Sequence, residues 1–289
     1  MSIKVILAPI TGAKADQQIL NTALTMATFT NAHIKVVFLC RDPGDVIASQ
    51  VGYGMSASII EPLIQAAEDQ LKEARQAARL TYDKWQKAGA VADAGAPRLA
   101  GRVTAEYAEE IGNMGVNLAN QGRLADMICV LRPNQKASPD WPVLVEAALI
   151  DTGKPVLLAP AKRQMQAIKS VAIAWNGSQE AARAVTFAMP VLEAAERVTV
   201  IAGINDDLSP ADVRVFTDSL AWHGIKTTTK TFKTDGSNLG KRLQDASRKA
   251  DAQLLVLGAY SHNRFRQFIF GGVTDDILKA GEMPILMAH

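Results

Sequence analysis

Short apolar runs alternate along this chain with stretches whose apolar residues recur every three or four positions. The first pattern suits strands buried on both faces, and the second suits amphipathic helices. Residues 3–10 form a first run, and Asp16–Thr28 follows with Ile19, Leu20, Ala23, Leu24 and Ala27 at helical spacing. Ile34–Cys40 is a second run, so the chain opens as β-α-β and a parallel sheet is expected. Residues 41–97 then break the rhythm. Within them Ser58–Lys87 is a long helical pattern, with Ile60, Leu63, Ile64, Ala67, Leu71, Ala74, Ala78 and Trp85 on one side. It is expected to pack on the sheet; the alternative is an interface helix, because its other face is rich in charge. Further strands are expected at Arg98–Tyr107, Met127–Leu131 and Pro155–Leu158. Helices are expected from Gly112-Asn113 to near Arg123 and over Trp141–Ile150, the latter closed by Gly153.

The pattern then starts again. Lys169–Ala174 reads as a strand, Asn176-Gly177-Ser178 as a turn, and Ser178 as the N-cap of a helix with Glu180 in its first turn. Arg197–Ala202 is a strand, and Ser209-Pro210 opens a helix that Gly224 closes. Ile225–Phe232 is a strand and Asn238–Lys249 a helix. The end of the chain is a strand, Leu254–Leu257, bounded by Gly258, then a loop with His262, Arg264 and Arg266. Gly271-Gly272-Val273-Thr274 opens a helical pattern over Asp275–Ala280, and Pro284–Met287 is a last strand.

The two halves align. Thr11-Gly12-Ala13 corresponds to Asn176-Gly177-Ser178 at an offset of 165, and Asn113-Met114-Gly115 to Asn238-Leu239-Gly240 at 125. Lys154–Leu157 corresponds to Met283–Leu286 at 129. The drop in offset places about forty extra residues in the first half, around the long helix. The expectation is two α/β domains, 1–164 with a helical insertion at about 43–97, and 165–289, each a doubly wound five-stranded parallel sheet.

Of the 289 residues 48% are hydrophobic, and the net charge is +2. That length suffices for two ordinary domains, and so even a charge balance gives no electrostatic case for nucleic acid. Cys40 and Cys129 each lie in an apolar run, as small core residues of a reducing compartment would. The first residues read as a strand and not as a signal peptide, and no apolar stretch is long enough for a membrane span. A cytoplasmic location is expected.

The terminal unit carries the candidate chemistry. Glycines where strand becomes loop and where loop becomes helix let a backbone approach a bound group closely. Free N–H groups at the helix start, with the macrodipole behind them, attract phosphate, and Thr274 adds a hydroxyl donor. The competing reading of Gly271-Gly272 is a tight helix entry. The chain here resembles the universal stress proteins, whose motif G-x2-G-x9-G-[S/T] after the fourth strand wraps the phosphates and ribose of ATP. Gly258, Ser261, nine further residues and Gly271-Gly272 stand in that pattern, with Ser261 in place of glycine and Gly272 in place of Ser/Thr. The resemblance extends over the whole chain as a tandem universal stress protein, with the adenine nucleotide alpha hydrolase-like fold. It implies an ATP site in the second half, built from Ala174, Trp175, Asn176, Gly203, Gly258, Ser261, Gly271, Gly272, Val273 and Thr274. Asn176 stands where the family has an aspartate that contacts the nucleoside; an amide still offers an acceptor and donors. In the first half Thr11 takes that place, and Arg132-Pro133-Asn134 and Trp141-Pro142 replace the glycine pattern. That half is expected not to bind ATP.

No nucleophile with a base, zinc spacing or phosphate-binding P-loop occurs in the sequence. Enzymatic activity is left at slow ATP hydrolysis at most, and a metal is unassigned. Two functions remain: a stress-response protein that binds ATP or a related adenine nucleotide, and an interaction module of the same fold without nucleotide. An intramolecular pseudo-dimer is expected, through edge strands Val156–Leu158 and Ile285–Met287, because unpaired apolar edges invite pairing. A homodimer of the whole chain is compatible with this arrangement.

Overall fold

The structure is a computed structural model, and it describes residues 2–48, 57–89, 91–93, 102–132, 140–160, 165–234, 239–259 and 283–289. The first half contains β1 (Val5–Ile10), α1 (Asp16–Thr30), β2 (His33–Cys40), α2 (Pro43–Ala48), α3 (Ala57–Ala88), β3 (Ala92–Asp93), β4 (Thr104–Ile111), α4 (Met114–Gly122), β5 (Met127–Leu131), α5 (Trp141–Ile150) and β6 (Val156–Ala159). The second contains β7 (Ser170–Ala174), α6 (Gln179–Ala194), β8 (Arg197–Ile204), α7 (Pro210–Ala221), β9 (Thr227–Lys233), α8 (Leu239–Lys249), β10 (Leu254–Gly258) and β11 (Ile285–Ala288).

Among the described residues the strands lie in one eleven-stranded sheet, in the order β3-β4-β2-β1-β5-β6-β11-β10-β7-β8-β9. Away from the centre the two halves repeat one winding, β6-β5-β1-β2-β4 and β11-β10-β7-β8-β9. Every pairing within a half is parallel. The central pairing of β6 with β11 is antiparallel, with Leu158 opposite Ile285, Leu157 opposite Leu286 and Val156 opposite Met287. Leu157 and Leu286 are counterparts in the repeat, so the axis relating the halves passes through their pair. The two expected sheets are thus continuous, joined at the two edges named from the sequence.

Local chemistry explains the helix ends. Asn113 and Ser178 cap α4 and α6, accepting from the backbone N–H of Val116 and Ala181. Ser209 and Asp212 form a capping box on α7. Gly224 turns at φ +73°, a conformation that glycine adopts without strain. The strand expected at Arg98–Tyr107 runs instead over Thr104–Ile111. Its sequence, TAEYAEEI, carries three carboxylates, because it lies near the sheet edge and buries little beyond Thr104 and Ala105. The short helix α2 and the two-residue β3 were not expected.

Candidate functional site

Three parallel strands of the second half end side by side. In register, Ala174 of β7 lies between Ile201 of β8 and Leu257 of β10. Trp175 and Asn176 follow Ala174, Gly203 lies two residues beyond Ile201, and Gly258 follows Leu257. Ala174, Trp175, Asn176, Gly203 and Gly258 therefore gather at the carboxyl ends of neighbouring strands. Between β7 and β10 the chain order reverses, and open α/β sheets hold ligands at that place. Ser261, Gly271, Gly272, Val273 and Thr274 lie outside the described residues, as do His262, Arg264, Arg266 and the helix expected at 275–280.

Each described residue has a local role. The side chain of Asn176 is exposed, and its Oδ1 accepts from the Ser178 N–H at 3.1 Å, which sets the turn into α6. Gly177 completes that turn at φ +74°. The Trp175 indole stacks on Phe216 of α7, with ring centroids 3.7 Å apart and planes 2° from parallel. Its ring thus packs against α7, and its backbone N–H donates to the Ile201 carbonyl at 2.9 Å. A Cβ on Gly258 would overlap the Ala181 backbone nitrogen and lie 2.7 Å from the Glu180 carbonyl carbon. Glycine is what lets the first turn of α6 rest against the end of β10. At Gly203 a Cβ would meet Thr234, Leu239 and Phe232 at 2.9–3.3 Å. On the β8–α7 loop Asn205 accepts from the backbone of Asp207 and Leu208, holding the exposed Asp206 and Asp207 beside the strand ends.

The first half departs from this at each corresponding place. Leu131 stands where β10 has Gly258, as the parallel bonds from Arg132 N–H to Ala159 and from Ala259 N–H to Ala288 demonstrate. Arg132 itself is buried and donates to the Met283 carbonyl of the other half at 2.5 Å. Burial lowers its guanidinium pKa to about 10. The loop after β1 is covered by the inserted helix. A Cβ on Gly12, at φ +85°, would overlap the Ala74 carbonyl oxygen of α3, whereas Gly177 faces a leucine side chain, Leu208, at 3.6 Å.

Beneath that cover, Asp16 is fully buried. Its Oδ2 accepts from the N–H of Thr11 at 3.1 Å and of Gly12 at 2.7 Å. Its Oδ1 has no partner among the described residues. Desolvation outweighs these donors and pushes the carboxyl up to about 7.

A cavity of about 280 Å³ opens at the strand ends of the first half. Arg41, Asp45, Gly112, Asn113, Asp140 and Val143 contribute to its lining. Arg41 and Asp140, both in that lining, pair with each other at 2.7 Å. Sequence reasoning missed this cavity; its one signal was the Gly112-Asn113 helix entry, which read only as a turn. Among the described residues no group of His, Cys, Asp and Glu side chains is arranged to hold a metal ion, and no helix is long and apolar enough to cross a membrane.

No family model and no curated protein matches the chain. Solved structures do. A universal stress protein from Archaeoglobus fulgidus DSM 4304 is 17% identical with a TM-score of 0.66, over 99% of this chain and 96% of that one. A functionally unknown protein from Pseudomonas aeruginosa PAO1 is 14% identical with a TM-score of 0.57, over 99% of this chain and 92% of that one. A candidate universal stress protein from Pseudomonas aeruginosa UCBPP-PA14 is 15% identical with a TM-score of 0.53, over 99% of this chain and 93% of that one. The likeness runs over the whole chain. The protein has the universal stress protein fold.

Proposed function

We propose that the chain is a cytoplasmic tandem universal stress protein that serves the stress response by binding ATP or a related adenine nucleotide. Its two domains are residues 1–164 and 165–289, and the site lies in the second alone. One observation carries this reading. The strand ends of the second half bring together Ala174, Trp175, Asn176, Gly203 and Gly258 under an open turn, while α3 lies on the equivalent turn of the first half. Asn176 sits where it can hydrogen-bond a nucleoside. Ser261 and the run Gly271, Gly272, Val273 and Thr274 supply backbone and hydroxyl donors to phosphate. The family resemblance supports the nucleotide and the stress role, and the fold supports the location.

Titration calorimetry with ATP tests this on wild type, Gly271→Val and Thr11→Ala. Wild type and Thr11→Ala bind alike, and Gly271→Val loses binding. Equal loss in Thr11→Ala overturns the assignment to the second half.

A second reading, an interaction module without nucleotide, is favoured by the packing at two glycines. Gly258 is required by the α6 backbone beside it, and a Cβ at Gly203 would crowd three side chains, so packing accounts for glycine at both without a ligand. Absence of binding in wild type at high ATP concentration selects this reading.

A further inference from the structure

The outer strand of the second half leaves its backbone unfinished. β9 ends the sheet on that side, and β8 is its one strand partner among the described residues. The Thr234 N–H donates to the Ile204 carbonyl of β8 at 3.0 Å. Backbone groups alternate in direction along a strand, so those of Thr227, Thr229 and Thr231 turn away from β8. No group among the described residues bonds to them there.

The flank beside this edge is cationic. By the period-two alternation Lys226 and Lys230 share the face of β9 that carries Phe232. Arg242 of α8 lies over the Phe232 ring, 5.7 Å from its centroid, and donates to the Lys233 carbonyl at 2.6 Å. Lys249, seven residues on, falls on the same side of α8. None of these four cations has an ion-pair partner among the described residues, and the one carboxylate of α8, Asp245, pairs with Arg248. At the opposite end of the sheet the charges are answered within the chain. There Glu106 of β4 pairs with Lys35, Glu109 pairs with Arg75, and Glu110 accepts from Gln121.

Unanswered cations beside an open strand edge point to the chemistry of a partner. Lysines on an edge keep a neutral strand away. A strand with carboxylates at every second position instead sets them beside Lys226 and Lys230. A nucleic acid could answer the charges but could not extend the backbone ladder. We propose that β9 takes up an extended acidic segment of a partner protein as a further strand of the sheet. The threonine backbones hold the segment, and the cations select it. This rests on the fold and is independent of whether a nucleotide binds.

Fluorescence anisotropy with the full chain tests it, using a labelled peptide of about eight residues in which glutamate and threonine alternate. The peptide binds, and it binds about tenfold more weakly when glutamine replaces its glutamates or when the protein carries Lys230→Glu. Thr229→Pro removes an outward N–H, a change that an edge strand tolerates, and abolishes binding. Circular dichroism checks that both variants keep the wild-type fold. Absence of binding by the wild type overturns the proposal. So does binding that Thr229→Pro leaves unchanged, since charge alone then holds the peptide. A single-stranded oligothymidylate that binds as tightly as the acidic peptide overturns it too, and assigns the flank to nucleic acid.

Discussion

Asp16 is the residue whose environment departs most from its chemistry. A carboxyl buried beneath the turn that α3 covers takes both neighbouring N–H donors on Oδ2, and desolvation makes it hold a proton more tightly than it would in water. Its pKa rises from 3.8 in the unfolded chain to about 7 in the fold. Folding therefore takes up a proton between those values. The stability is fully present below the unfolded pKa and is lost as pH rises through the folded one, by up to about 4 kcal/mol. Urea unfolding from about pH 4 to about pH 8 checks this: the wild type weakens across the range, and Asp16→Asn flattens the slope. An unchanged slope in Asp16→Asn removes Asp16 as its source. Gly258 teaches a different lesson. Its neighbour Ala181 is remote in sequence, so the packing reason for glycine was invisible there, and only the ligand reason could be read.

At the scale of elements, the joint between the halves carries the most chemistry. The pair Leu157 and Leu286 is fully buried at the centre of the antiparallel contact. Arg132 reaches across it to Met283. Arg132→Met leaves the Met283 carbonyl without that donor, at a cost of about 1–3 kcal/mol, measured by chemical denaturation. A loss indistinguishable from zero means that the bond is replaced by water or does not hold the joint. These elements differ in how far they could be read from sequence. The apolar runs at Met127–Leu131 and Pro155–Leu158 could be read because strands buried on both faces need no polar residues. The joint followed from two such runs with no partner of their own. The strand Thr104–Ile111 was displaced because its three glutamates, in a half-buried strand near the sheet edge, erase the apolar pattern. The helix α3, Ala57–Ala88 in the structure, was legible over Ser58–Lys87 through its stripe, yet nothing local revealed that Ala74 would close over Gly12.

The whole molecule is a doubled winding whose halves differ in what covers their strand ends. In the second half Gly258 admits the start of α6 and the turn at Asn176-Gly177 stays open; in the first, Leu131, Arg132 and α3 fill the corresponding ground. Five of the ten site residues inferred from sequence meet at one place, because strand ends are set by the fold and the fold is set by the repeat. The first-half cavity lined by Arg41 and Asp140 is the natural competitor for a ligand. Amide hydrogen exchange of the full chain, with and without ATP, distinguishes the two most directly, since each half reports on its own peptides. The account predicts slower exchange with ATP at Ala174–Asn176 and Gly258-Ala259, and no change at Thr11–Ala13 or Gly112–Gly115. Protection at Gly112–Gly115 with none at the second-half strand ends would contradict it.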